Sequence, residues 1–168
     1  MITLGIDPGT ALLGYGVVAS DGDPSLIEFG VVETRPDLPM PERLVSLYDY
    51  VAELLDRHRP DAVSIEQLFF ARNVTTAIAV GQARGVVLLA AAKAGVGVVE
   101  YSPSEIKHAV VGYGRADKAQ IQEMVRIILG LAEAPRPDDA ADALAVAICH
   151  VHRSAFEAKT SGAASDWS

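Results

Sequence analysis

Three short apolar, β-branched runs follow one another at the start of the chain, and they narrow the fold more than any other feature. They are 2–6 (I-T-L-G-I), 12–19 (L-L-G-Y-G-V-V-A) and 26–34 (L-I-E-F-G-V-V-E-T). Runs of this kind read as strands. The gaps between them are too short for a crossover, so the strands form an antiparallel meander. The pattern then changes. Residues 42–58 place Leu44, Leu47, Tyr48, Val51, Leu54 and Leu55 at helical spacing, and Pro60-Asp61 ends that helix. A strand over 62–67, a helix over 74–94 capped by Gly95, and a strand over 96–101 follow. Strands reached through helices lie parallel to the sheet they rejoin. Three more helices are predicted. One is opened by Ser102-Pro103-Ser104 and ends near Val111, one covers 117–131, and one runs from Asp138 to about Phe156. The reading is an α/β fold with a five-stranded mixed sheet, three strands antiparallel and two parallel, flanked by helices. It covers residues 1–156 as one domain, with 157–168 expected as a disordered tail.

Composition bounds the function. Cys149 is the single cysteine, so an internal disulfide is excluded and a reducing compartment fits. Its setting, A-V-A-I-C-H, suggests packing rather than chemistry. The chain opens directly on a strand, so a cytoplasmic protein without a secretory leader is expected. The apolar stretch 74–94 has transmembrane length, but Gln82, Arg84 and Lys93 interrupt it; a long buried helix at an interface is the reading, not a span. Net charge is −8, which argues against a nucleic-acid protein until its distribution is read. Residues 68–118 hold six basic and three acidic side chains, against four and twelve in residues 1–67. A basic middle can meet phosphates, although solvated surface explains a patch of this size as well.

The acids decide between these readings. Asp7 ends the first strand in G-I-D-P-G-T, and Pro8 holds it extended. Gly9 is expected to supply a positive φ in the turn. Asp7 could merely cap that turn. Glu66, however, ends the fourth strand in the same manner, and parallel pairing would bring both acids to one edge of the sheet, where function gathers in open α/β folds. Asp139 and Asp142, three apart at the start of the last helix, share a face. A capping and dipole role explains Asp138 and Asp139, but explains Asp142 poorly. Four converging carboxylates call for hard cations, Mg²⁺ or Mn²⁺ rather than zinc. Neither His150 and His152 nor Cys149 offers a zinc pattern. A pair of such ions is the recurring device for phosphodiester hydrolysis.

The stretches L-G-I-D-P-G-T, I-E-Q-L-F-F-A-R-N, G-Q-A-R-G at 81–85, Y-S-P-S-E-I-K-H-A-V-V-G-Y-G-R-A-D-K-A-Q-I and D-D-A-A-D-A-L-A-V-A-I-C-H resemble the bacterial RuvC-type Holliday-junction resolvases, which are ribonuclease H-like endonucleases. The resemblance covers residues 1 to about 156. It implies a homodimer that nicks two opposed strands of four-way junction DNA using two Mg²⁺ per active site, with Mn²⁺ able to substitute. It also implies work beside the RuvA and RuvB branch-migration proteins. The family's acidic tetrad falls on Asp7, Glu66, Asp139 and Asp142, the D-A-A-D spacing favouring Asp139 over Asp138. Lys107 and Lys118 match lysines near the scissile phosphate. Phe69, or Phe70 in its place, matches an aromatic that stacks on bases, with burial under a dimer as the competing explanation. Arg72 and Arg115 complete the DNA-facing set. The helix 74–94 corresponds to the family's dimer contact, where Ala77, Gly81, Ala83 and Gly85 allow close approach. A related nuclease of the YqgF type acting on RNA is the nearest alternative. I-D-P-G-T is also similar to the phosphate turn of sugar kinases and actin-like ATPases, but those need two such domains. A catalytically dead binding module would not need four costly acids.

Overall fold

β1 (Ile2–Asp7), β2 (Leu12–Asp21) and β3 (Asp23–Glu33) form the expected meander in the computed structural model, which describes residues 1–67 and 74–163. α1 (Met40–His58), β4 (Ala62–Glu66), α2 (Val74–Ala94), β5 (Gly97–Tyr101), α3 (Pro103–Val111), α4 (Lys118–Ile128) and α5 (Asp138–Ala163) follow. The sheet order is β3-β2-β1-β4-β5. β1 pairs antiparallel to β2 and parallel to β4, and β4 is parallel to β5.

Both faces of the central strands are covered, which explains why β1 is buried from Thr3 to Ile6 without alternation. On one face Leu4, Ile6 and Leu13 meet α1 and α2 through Leu47, Val51, Leu54, Ala83 and Val87. On the other, α5 lies directly on the sheet. That face of β1 and β2 carries Gly5, Gly14 and Gly16, and α5 answers with Ala140, Ala143 and Ala147. A Cβ on Gly14 would overlap the backbone carbonyl of Asp139, and one on Gly5 would overlap that of Ala143. Small residues on both sides let helix and sheet approach at backbone distance, and this sets where Asp139 and Asp142 stand.

Several expectations are corrected. Gly9 is not among the positive-φ glycines (Gly22, Gly95, Gly112 and Gly130). It is required instead because a Cβ there would strike the Leu12 carbonyl. β3 begins at Asp23, earlier than predicted, because Gly22 at φ 105° permits a tight hairpin and Pro24 is tolerated on an edge strand. α4 stops at Ile128, with Gly130 in the left-handed region just beyond. α5 runs to Ala163 rather than ending near Phe156, so residues 157–163 are helical; there the Thr160 hydroxyl bonds back to the Phe156 and Glu157 carbonyls. α2 is not a buried helix. It packs mainly against α1, burying Ala83, Val87, Ala90 and Ala91, while Val74, Ile78 and Leu89 are exposed. Among the described residues it is the one helix long and apolar enough to cross a membrane, and here its buried face belongs to the protein core.

Candidate active site

Asp7 is the last residue of β1 and Glu66 the last of β4. The parallel register Ile6↔Ile65 puts them side by side at the carboxyl edge of the sheet. The turn after Asp7 is held from outside. The Arg43 guanidinium donates to the Thr10 carbonyl at 2.9 Å, the Thr34 hydroxyl donates to it at 2.6 Å, and the Thr34 amide donates to the Ala11 carbonyl at 3.1 Å. Asp142 arrives from the first turns of α5, one turn beyond Asp139.

The carboxylates act on one another. Burial first, and then the negative charges of Asp142, Asp139 and Glu66, push Asp7 up to about 7. Lys118 opposes this only in part. Burial and Asp142 also raise Glu66 above the ordinary carboxylate range, against the pull of Lys107. Burial raises Asp142 despite a hydrogen bond from Lys118. A turn-capping Asp7 would be lowered, so the geometry favours a cluster that lacks its counter-charge.

Lys118 enters that cluster. Its Nζ lies 3.1 Å from Asp142 Oδ2 and 3.2 Å from Asp138 Oδ2. Burial works against its charge, but these bonds outweigh burial and hold the ammonium above its ordinary value. Gln122, one turn along α4, donates to Asp138 at 2.9 Å. Asp138 is exposed and is lowered by Lys118 and Gln122, whereas Asp139 beside it is half-buried and bears on Asp7. Glu66, Lys107, Lys118, Asp142, Ile106 and Asp117 line a cavity of about 250 Å³. Among the described residues, no three His, Cys, Asp or Glu side chains stand close enough to hold a metal ion unaided. Lys118 occupies one side of Asp142 in this conformation.

The family model for crossover junction endodeoxyribonuclease RuvC matches residues 3–150. The chain belongs to the RuvC family. A crossover junction endodeoxyribonuclease RuvC from Chloroflexus aggregans is 57% identical over 153 residues, covering 90% of this chain and 93% of that one. The Thermus thermophilus RuvC structure is 45% identical with a TM-score of 0.88, covering 94% of this chain and 97% of that one. T. thermophilus RuvC in complex with Holliday junction substrate is 44% identical with a TM-score of 0.87, covering 94% and 96%.

Within this RuvC-family fold, the structure brings together Asp7, Glu66, Asp139, Asp142, Lys107 and Lys118. Arg115 is exposed in the loop between α3 and α4, outside the cavity lining. Phe69, Phe70 and Arg72 lie outside the described residues. Cys149 is fully buried and pushed up to about 12 by burial, as an inert core thiol should be. His150 shares a 2.7 Å hydrogen bond with the Tyr101 hydroxyl, and His152 Nδ1 donates to the Ala109 carbonyl at 2.8 Å. Sequence reasoning missed the partnership of Asp138 and Gln122 with Lys118. The available signal was the i, i+4 spacing of Lys118 and Gln122 on one helix face.

Proposed function

We propose that this chain resolves four-way DNA junctions as a crossover junction endodeoxyribonuclease, placing two symmetric nicks in opposed strands. The observation that carries the reading is the four-carboxylate edge, with Asp7 pressed toward neutrality by burial and then by its acidic neighbours, in a RuvC-family fold similar to a RuvC bound to a Holliday junction. Family membership sets aside the RNA-directed and kinase-like alternatives.

Asp7, Glu66, Asp139 and Asp142 are the residues that hold two Mg²⁺, with Mn²⁺ as a substitute. An oxygen-only donor set that would rather keep a proton than stand fully ionised suits a hard divalent cation, which takes the proton's place. When bound, such ions activate water and stabilise the leaving 3′ oxygen. The chain's own part is to orient the carboxylates, to release the Asp7 proton and to free Asp142 from Lys118. Lys118 and Lys107 then offer point charges to the scissile phosphate. Phe69 or Phe70 stacks on bases near the crossover, and Arg72 and Arg115 meet phosphates. Residues 1–156 act as one cytoplasmic nuclease domain, away from membranes and alongside RuvA and RuvB. With Mg²⁺, a synthetic four-way junction should yield paired nicks with 5′-phosphate and ligatable 3′-hydroxyl ends. Full activity in EDTA, or ends that a ligase cannot seal, would overturn this.

A junction with two-fold symmetry needs two sites, and one chain carries one set of four acids. A C₂ homodimer supplies the second. The outward face of α2 is the surface we assign to it. Val74, Ile78 and Leu89 are exposed there, and Gly81 and Gly85 have open space beside them. Gly81→Glu or Ala77→Glu should weaken dimerisation and accumulate singly nicked junctions. Light scattering that finds a monomeric parent chain still making paired nicks would refute the assignment.

A further inference from the structure

Arg84 stands in the middle of α2 with its side chain 12% exposed, and its guanidinium makes two contacts at once. Nη1 donates to the backbone carbonyl of Glu66 at 3.1 Å, and Nη2 pairs with the Glu100 carboxylate on β5. Glu66 needs such support. The pairing of β4 with β1 runs from Ala62 only as far as Ile65, so Glu66 has no ladder partner on the Asp7 side. On its other side the register Glu66↔Tyr101 and the 2.8 Å bond from the Gln67 amide to the Tyr101 carbonyl are the last strand contacts before the chain leaves the sheet. Arg84 therefore ties the end of β4 to α2 and reinforces its link to β5 at the point where pairing with β1 has ended. The charge of Arg84 is matched by Glu100, so its action on Glu66 passes through the backbone.

We propose that Arg84 is a positioning residue for Glu66: its fork holds the β4 terminus so that the Glu66 carboxylate faces Asp7 and Asp142. This rests on the reading of Glu66 as a metal ligand. A planar, bidentate head is required because both partners are engaged together; a lysine at this position has a single nitrogen. Groups that orient metal-binding side chains typically change metal affinity by about 10- to 100-fold when lost.

The full chain is titrated with Mn²⁺ in the absence of DNA by calorimetry, for the parent, Arg84→Gln, Arg84→Lys and Glu66→Gln. Melting temperature, junction affinity in EDTA and single-turnover cleavage are measured alongside. Arg84→Gln is expected to weaken Mn²⁺ binding by about 10-fold or more and to slow cleavage at saturating junction, with junction affinity in EDTA unchanged. Arg84→Lys should recover melting temperature toward the parent without recovering Mn²⁺ affinity, a split that a purely structural role would not produce. A folded Arg84→Gln chain that binds Mn²⁺ as the parent does overturns the proposal; if that variant does not fold, the same result from Arg84→Lys overturns it. Parent-like Mn²⁺ binding by Glu66→Gln is a different outcome and overturns the ligand assignment of Glu66 itself.

Discussion

Asp7→Asn is expected to reduce junction cleavage by roughly 10²-fold or more, the scale on which one electrostatic partner of developing charge matters. Junction binding should be kept or tightened, because one negative charge no longer faces the phosphates. The same substitution carries a pH signature. In the metal-free chain Asp7 is raised from 3.8 to about 7, chiefly by burial and then by Asp142, Asp139 and Glu66. The folded state thus holds this proton more tightly than the unfolded state does. Its contribution to stability is complete below pH 3.8 and is lost as pH rises through about 7. Asparagine has no charge to desolvate, so in EDTA the variant should be more stable than the parent at pH 8, by on the order of 2–4 kcal/mol, and so melt higher, with a much smaller difference at pH 4. Thermal melts at the two pH values and a cleavage assay check both halves. Cleavage near the parent rate would remove Asp7 from the site. A melting temperature lowered at both pH values would favour the turn-capping role.

Gly14→Ala should damage folding and catalysis together. Its new Cβ would overlap the Asp139 carbonyl, which is backbone and cannot rotate away. Either β2 or the first turn of α5 must move, at a cost of about 1–3 kcal/mol. That corresponds to a melting temperature lower by roughly 2–12 °C for a chain of this size. The moved element carries Asp139 and Asp142, and a displacement near 1 Å can cost about 10²-fold in rate. Gly97→Ala is the control, since a Cβ at Gly97 meets nothing within 4 Å; it should leave melting temperature and cleavage close to the parent. A Gly14→Ala chain with parent-like stability and rate would show that the helix–sheet approach does not place the acids.

The order of elements was legible from the chain alone because each rests on local chemistry. Short apolar, β-branched runs separate β1–β3 from the helically spaced leucines of α1, and Ser102-Pro103-Ser104 marks the start of α3. The termini of β1 and β4 were legible too, since Pro8 and the end of an apolar run mark them. That placed Asp7 and Glu66 on one edge once parallel pairing was granted. What stayed hidden depends on side chains far apart in sequence. Gly9 reads as a positive-φ turn residue until the Leu12 carbonyl is seen beside it. The 74–94 helix reads as buried because its composition is apolar all round, and only packing shows which face meets α1. Asp138 reads as a helix cap until Lys118, twenty residues earlier, is found bonded to it. Arg84 reads as an interruption in an apolar run until the Glu66 carbonyl lies 3.1 Å away. The sequence by itself determined which acids exist and which elements end in them, because strand, turn and helix signals are local. Only the tertiary structure decided how strongly those acids repel, that Lys118 bonds to Asp138 and Asp142, and what holds each in place, because burial and charge are sums over the whole fold.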